Sequence, residues 1–510
     1  MGFAEDRIKY APFRDRIISA EQAAMEISDG MTVAIPDFGS YTNPMAIVDA
    51  ITRRVRDGGE TLRLGLIKTA NANERLERDW CRLGILKRRM IFFGSPAVRE
   101  LVNTEGGIEF QDPHLSRLPD KLRHGQLGTL DVAIVSCGGV TEEGKLLPLF
   151  DQGYTPVALE CAKKVLLEIS PHFPAELYKL HDVYTRARLP EARSPIGVTH
   201  VMDLVGEPFY SVDPDKVAGI VLSDTPLETG PMWNMAEPSP EIEAIAGHFI
   251  SFLEREVREG RLSEPLPPVQ TGAGAIADAV FERMGERFSE LSMYTEGFMP
   301  GAVRLLRSGK IKCISSGGLS VDSEFANEIL SNIDEYSQKL ILRSSEVSNS
   351  PEVISRLGVI AMNNILEADI YGNVNSTNIM GTRMVSGIGG SGDYARNALL
   401  TVFFTLSTAK NGEISSIVPM CPHIDHTEHD VDVIVTEYGA ADLRNKSPRQ
   451  RAREMIRISH PDYRPLLADY YERAVAECSP GGAHTPHILS EALSWHVRAR
   501  ETGSMRIYRA

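Results

Sequence analysis

No segment of this 510-residue chain approaches the roughly 18 consecutive apolar residues that a membrane-crossing helix needs. The stretch from Met1 to Arg16 is charged and has no apolar core of the secretory type. A cytoplasmic protein without a membrane partner is therefore expected. Cysteine is sparse as well: Cys81, Cys137, Cys161, Cys313, Cys421 and Cys478 are scattered without CxxC pairing, which fits a reducing cytosol better than a disulfide framework. Basic residues are outnumbered, 54 Lys and Arg against 69 Asp and Glu, for a net charge of −15. That balance argues against nucleic acid as a partner, while leaving room for a local basic site facing an anionic ligand. There is also no G-x-S-x-G elbow, and Ser391 sits one residue out of that register, so a nucleophilic serine is not expected.

What is present is an α/β rhythm. Short β-rich runs at Met31 to Ile35, Leu62 to Lys68, Met90 to Gly94, Val132 to Ser136, Val165 to Ile169 and Ala218 to Leu222 alternate with helical patterns, predicting a largely parallel sheet flanked by helices. A proline-rich stretch from Pro226 to Pro240 interrupts the rhythm. The helix predicted over Glu241 to Glu259 carries Ile242, Ile245, Phe249, Phe252 and Val257 near helical spacing. Strands are then predicted at Lys310 to Ser315, Lys339 to Leu342, Ile414 to Pro419 and Val431 to Thr436. The echo between Ala46-Ile47-Val48-Asp49-Ala50-Ile51 and Ala275-Ile276-Ala277-Asp278-Ala279-Val280, each opening a helix after a loop, suggests two copies of one fold. The expected domains are residues 1–228 and 229–510.

Four glycines fall within six residues at Gly387-Ile388-Gly389-Gly390-Ser391-Gly392, followed by Asp393 and a helix-compatible run from Tyr394 to Phe404. With no Cβ in the way, the peptide N–H groups of such a loop can converge on an anion or a developing oxyanion. The spacing matches GxGxxG formally, but a dinucleotide site needs an acidic residue at a strand end about 20 positions on, and Glu413 sits in the turn Lys410-Asn411-Gly412-Glu413. Gly139 to Lys145 resembles a phosphate loop until Leu146 appears where Ser or Thr must ligate magnesium, so it reads as a strand-ending turn. A second glycine loop, Gln270-Thr271-Gly272-Ala273-Gly274, precedes another predicted helix and is either a tight turn or an oxyanion cradle.

The cluster His423-Ile424-Asp425-His426-Thr427-Glu428-His429-Asp430 gathers three histidines on one face in neither helical nor strand geometry, so structural hydrogen bonding is expected and no metal. Tyr294-Thr295-Glu296-Gly297 places a carboxylate at the end of the run Leu291 to Thr295. Strand ends of this kind are where α/β sheets bind ligands, and a carboxylate there can serve as a nucleophile.

From about Lys339 to Trp495 the chain resembles the acetyl-CoA hydrolase/transferase family of class I CoA-transferases, especially its succinyl-CoA:acetate branch. The resemblance is carried by Val347-Ser348-Asn349-Ser350-Pro351, Glu367 to Thr377, Gly387 to Asp393, Ser407 to Gly412, His426 to Asp430, Val435-Thr436-Glu437-Tyr438-Gly439, His484-Thr485-Pro486-His487 and Glu491 to His496. It implies two tandem class I CoA-transferase-type domains with the active site between them, assembled as a homodimer. It also implies an enzyme moving CoA from an acyl-CoA to a small carboxylate, such as acetate, propionate or succinate, through a glutamyl-CoA thioester. By that resemblance Glu296 is the nucleophile, Gly390 and Ala273 donate N–H groups to the oxyanion, Asn349 assists on the glutamyl side and Glu437 orients. Gly272, Ala273, Gly274, Ala275, Ile276, Leu366, Ser386, Gly390 and Lys410 match CoA-contacting positions. CoA is then a substrate, with no resident cofactor.

The alternatives are an acyl-CoA hydrolase using the same glutamate and, more distantly, a non-catalytic ligand sensor. Three positions depart from the family pattern: Pro36-Asp37-Phe38 replaces Ser-Gly-Phe, Pro300-Gly301 replaces Asp-Gly, and Leu222 to Glu228 lacks the arginines of the succinate branch. The acidic residues in that last segment would repel a dicarboxylate.

Overall fold

The structure, a computed structural model, describes residues 6–39, 42–69, 73–170, 172–224, 239–272, 274–319 and 323–506. Two compact units emerge. One comprises Met1–Met232, Met293–Phe298 and Lys312–Leu357, the other Trp233–Ser292, Met299–Ile311 and Gly358–Ala510. The first passage between units falls near the expected boundary, but residues 293–298 and 312–357 group with the N-terminal residues, so Glu296 belongs to the first unit.

Along the chain the main strands are β1 (Thr32–Ile35), β2 (Leu64–Lys68), β3 (Leu86–Met90), β4 (Glu109–Gln111), β5 (Val132–Cys137), β6 (Lys164–Ile169), β7 (His181–Asp182), β8 (Val217–Leu222), β9 (Val269–Thr271), β10 (Leu291–Phe298), β11 (Ile311–Leu319), β12 (Leu340–Arg343), β13 (Ile360–Asn364), β14 (Leu400–Phe404), β15 (Val433–Thr436) and β16 (Gly439–Asp442). In the first unit seven strands form a wholly parallel sheet in the order β4-β3-β2-β1-β5-β6-β8. The same unit holds the order β10-β11-β12-β7, with β12 parallel to both neighbours. The second unit carries β16-β15-β14-β13-β9, parallel except for the edge hairpin β15–β16.

Parallel strands covered on both faces read as continuous apolar runs, and β1 (Thr-Val-Ala-Ile) and β2 (Leu-Gly-Leu-Ile-Lys) are buried at every position. The helix Met45–Arg56 buries Met45, Ile47, Val48, Ala50 and Ile51 and ends in Arg53, Arg54 and Arg56, which favour its negative C-terminal pole. The helix Pro240–Arg258 is capped by Ser239 and buries Ile242, Ile245, Phe249 and Phe252, as its spacing predicts. Both halves of the sequence echo open helices, Met45–Arg56 and Ala275–Arg287.

Three sequence expectations need correction. The strand predicted at Met90 to Gly94 lies earlier, at Leu86–Met90, because Arg89 is buried in it by an ion pair to Glu77 at 2.8 Å; a charge run had masked the strand. The helix predicted over Tyr394 to Phe404 is only Ser391–Ala395, and Leu400–Phe404 is instead a fully buried central strand, β14, between β13 and β15. Tertiary pairing decides this run, whose Thr, Val and two Phe suit a strand. Ile414 to Pro419 splits into two-residue strands, Ile414–Ser415 and Ile417–Val418, outside the main sheet.

Candidate functional site

β10 runs on past the predicted end, so Glu296 lies within its last three residues, half-buried and following the fully buried Thr295. Facing it in the same unit is Asn349, the C-terminal cap of the short helix Ser345–Ser348; its Nδ2 donates to Glu296 Oε2 at 3.3 Å. Ser348 Oγ donates to Asn349 Oδ1 at 2.8 Å. Ser316, on β11, donates through its Oγ to the Glu296 carbonyl oxygen at 3.3 Å. The backbone around the carboxylate is bare: Gly297 follows it, and Gly317 and Gly318 lie on β11. A Cβ on Gly317 would stand 2.7 Å from the Glu296 carbonyl oxygen, and one on Gly297 would stand 3.0 Å from Phe38 Cε1.

Phe38 belongs to the departure Pro36-Asp37-Phe38, and its setting is a buried charge cluster. Lys68, which ends β2 and is fully buried, donates through Nζ to the carbonyl oxygens of Asp37 at 2.7 Å and Gly39 at 3.1 Å, and sits 3.1 Å from Asp37 Oδ1. Asp151 accepts from Phe38 N at 2.9 Å and Gly39 N at 3.0 Å, while the Thr42 hydroxyl lies within hydrogen-bonding distance of both Asp37 and Asp151. Burial, then the neighbouring Asp37 charge, pushes Asp151 up to about 6 against the pull of Lys68. This loop thus has its polar groups met by buried partners, and it presses the Phe38 ring against the strand bearing Glu296. Sequence reading missed Lys68 and Asp151. The signal for Lys68 was a lysine closing an otherwise apolar strand; Asp151 gave none.

In the second unit the loop after β9 opens the helix Ala275–Arg287. Gly272 N donates to Met362 O at 2.7 Å, and added Cβ atoms on Gly272 and Gly274 would collide with Asn363 Oδ1 at 2.5 Å and Asn364 Nδ2 at 2.2 Å. Gly274 has φ +134°, a conformation few residues other than glycine adopt, so close approach to the β13 end and backbone geometry both require glycine here. Ala273 lies outside the described residues; Ala275 and Ile276 form the first turn of the helix, half-buried. The departure Pro300-Gly301 locks this helix, since Gly301 N donates to the buried Asp278 at 2.9 Å.

Gly390 caps the five-residue helix Ser391–Ala395, too short to add much dipole at that end. Ser391 Oγ donates to Ile388 O at 2.8 Å and lies 3.3 Å from Nε2 of the buried His426. Glu437, just after β15, accepts from Ser407 N at 2.8 Å and Ser407 Oγ at 2.5 Å. Lys410 is exposed at the tip of the hairpin Ala409–Gly412, where Lys410 and Asn411 both have positive φ, 50° and 55°. Leu366 N donates to Asn375 O at 3.0 Å beside the strand Glu367–Asp369, and Ser386 stands half-buried one residue before the glycine turn.

The histidine-rich segment is held by hydrogen bonds: Asp425 accepts from Ser376 N at 2.7 Å and Thr377 N at 2.9 Å. Among the described residues no group of three or more His, Cys, Asp or Glu is placed to hold a metal ion, and no helix is long and apolar enough to cross a membrane. The phosphate-loop look-alike is a turn, with Thr141 N donating to Lys145 O at 2.8 Å. Of the acidic segment after β8, Thr225 to Glu228 lies outside the described residues.

A half-buried glutamate at the end of a strand, held by an asparagine amide among bare glycines, is a carboxylate from which a nucleophile can be made. The chain belongs to the acetyl-CoA hydrolase/transferase family: the model of its N-terminal domain matches residues 1–187 and that of its C-terminal domain residues 326–471. It is accordingly an enzyme of the CoA-transferase family. It is 40% identical to the succinyl-CoA:acetate CoA-transferase of Clostridium kluyveri, over 98% of this chain and 92% of that one. It is also 36% identical to the acetyl-CoA hydrolase of Schizosaccharomyces pombe, over 98% of each chain, and 36% identical to the propanoyl-CoA:succinate CoA transferase of Escherichia coli, over 96% and 98%. Among solved structures, a 4-hydroxybutyrate CoA-transferase from Porphyromonas gingivalis aligns with TM-score 0.61 at 22% identity, over 91% of this chain and 99% of that one. RipA from Yersinia pestis aligns with TM-score 0.67 at 18% identity, over 91% and 98%. Those two likenesses establish the fold.

Proposed function

We propose that the chain is an acyl-CoA:carboxylate CoA-transferase using Glu296 as nucleophile. The observation that carries this reading is the Asn349 Nδ2–Glu296 Oε2 contact at the end of β10. The carboxylate attacks the acyl-CoA carbonyl, CoA thiolate leaves, and a mixed anhydride forms. The thiolate then attacks the glutamyl carbonyl, releasing the first acid and leaving a glutamyl-CoA thioester; the acceptor carboxylate reverses both steps. Each addition develops an oxyanion, and each preorganised donor removed from such a site typically costs about 10² to 10³ in rate. The Asn349 Nδ2–Glu296 Oε2 contact supports a role for that amide on the glutamyl side. By resemblance, the N–H groups of Gly390 and Ala273 serve the substrate side, Glu437 orients, and Gly272 to Ile276, Leu366, Ser386 and Lys410 hold CoA. A homodimeric state and a cytoplasmic location belong to the same reading; sedimentation velocity checks the first and cell fractionation the second.

The second reading is hydrolysis, with water as acceptor. It is favoured by relatives such as the acetyl-CoA hydrolases of Schizosaccharomyces pombe and Yarrowia lipolytica, each 36% identical. One experiment addresses both: incubate the enzyme with a panel of acyl-CoA esters without acceptor, reduce with borohydride, and map the altered residue by mass. Modification at Glu296, with turnover lost in Glu296→Ala, is expected. Label elsewhere, or undiminished turnover in that variant, would sink the nucleophile. Turnover that rises on adding acetate, propionate or succinate identifies a transferase; turnover indifferent to all three identifies a hydrolase.

A further inference from the structure

A carboxamide can face a carboxylate in two ways, and only one is attractive. With Nδ2 toward Glu296 the group donates; turned by 180° it presents Oδ1, a second acceptor, to an anion. Shape does not distinguish the two, since O and N differ little in size, so a neighbour must make the choice. In the first unit that neighbour is Ser348. Its hydroxyl donates to Asn349 Oδ1 at 2.8 Å, which turns the NH2 toward Glu296 Oε2 at 3.3 Å. Both side chains are buried, Ser348 at 1% exposure and Asn349 at 0%, so bulk water does not compete for the choice.

Two further features hold Ser348 where it can act. Gly317 leaves it room: a Cβ there would stand 3.2 Å from Ser348 Oγ and 2.7 Å from the Glu296 carbonyl oxygen. The short helix Ser345–Ser348 is anchored independently of the hydroxyl, because Glu346 accepts two hydrogen bonds from the buried Arg123, at 2.5 Å and 2.9 Å.

Resting on Glu296 as the nucleophile, we propose that Ser348 is a positioning residue that sets the Asn349 amide so that its NH2, and not its oxygen, meets the Glu296 carboxylate and the oxyanion that later forms at the glutamyl carbonyl. Ser348 touches neither substrate nor the reacting atoms in this role. It acts through Asn349, and that is what separates it from a packing residue.

The test is a double-mutant cycle on the full-length protein, using the acyl-CoA that the wild type turns over fastest. Ser348→Ala is expected to lower kcat about five- to tenfold, the size of one lost neutral hydrogen bond, with KM little changed. In an Asn349→Ala background the same substitution is expected to change kcat by less than about twofold, because the amide it orients is gone. Ser348→Cys, close in size and a weaker donor, is expected to fall between serine and alanine, and it carries the test should the alanine variant fold poorly. A full five- to tenfold loss in the Asn349→Ala background, a loss confined to KM, or full activity in Ser348→Ala would overturn the assignment. Borohydride labelling of the wild type keeps the two readings apart: label absent from Glu296 refutes the nucleophile, whereas label on Glu296 with an additive cycle refutes only Ser348.

Discussion

Replacing Lys68 with methionine tests the charge cluster behind the strand that carries Glu296. Methionine matches the lysine stem in length and flexibility but deletes the cation 3.1 Å from Asp37 Oδ1 and its bonds to the carbonyls of Asp37 and Gly39. What remains is a buried pair of carboxylates, Asp37 and Asp151, sharing the Thr42 hydroxyl. In the wild type Asp151 titrates at about 6 against an ordinary value of 3.8, chiefly from burial and secondarily from the Asp37 charge. A carboxylate raised in this way favours the folded state most below its ordinary value, and that favour is lost as pH rises through about 6. The interval corresponds to about 3 kcal/mol at roughly 1.4 kcal/mol per pH unit.

Without Lys68 the attraction of the nearby cation is gone and the hydrogen bonds from Phe38 N and Gly39 N still pull Asp151 down, so its folded value climbs and the loss extends to higher pH. Leaving a buried charge without its partner costs roughly 3–5 kcal/mol. That full cost is expected at pH 8, and a clearly smaller one at pH 5.5, where a proton on the pair stands in for the missing ammonium. The assay is urea unfolding followed by circular dichroism at both pH values, wild type beside Lys68→Met, comparing midpoints. An equal loss at the two pH values, or a larger one at pH 5.5, would refute the electrostatic account and leave packing as the cause.

Two glycines give further predictions. Gly317→Ala forces a methyl to 2.7 Å from the Glu296 carbonyl oxygen, a backbone atom that moves only if β10 moves; stability should fall by roughly 1–3 kcal/mol. Because the displaced strand carries Glu296, the proposed nucleophile, kcat should fall by about 10²-fold, and an unchanged kcat with a lowered melting temperature would separate packing from catalysis. Gly274→Ala meets both φ +134° and Asn364 Nδ2 at 2.2 Å. It is expected to lower stability by about 1–3 kcal/mol and to weaken CoA binding in isothermal titration, and wild-type affinity would remove this loop from the CoA site.

Much of this architecture was legible in the chain itself. Parallel strands buried on both faces must be apolar throughout, so β1, β2, β5, β6 and β8 stand out as short runs, and the helix Pro240–Arg258 announces itself by the spacing of its apolar residues. The candidate pair Glu296 and Asn349 could also be named from the sequence, and the structure brings the two side chains within 3.3 Å. Other things were not local. Leu400–Phe404 follows a glycine turn and a short helix, and only hydrogen bonding to β13 and β15 makes it a strand. Arg89 and Lys68 sit inside strands because Glu77 and Asp37 meet them there, partners 12 and 31 residues away that no period in the sequence can reveal.

The sequence by itself thus determined the α/β class and the family, and it supplied Glu296 as the candidate nucleophile, since burial pattern and reactive residue type are properties of short segments. Tertiary structure alone decided that Glu296 groups with the N-terminal residues, that Ser348 turns the Asn349 amide toward it, and that a buried lysine holds the Phe38 loop behind it. Asn349 meets Glu296 across 53 residues, at 3.3 Å, and Lys68 meets the Asp37 carbonyl across 31, at 2.7 Å, and only the folded chain brings such partners within hydrogen-bonding distance.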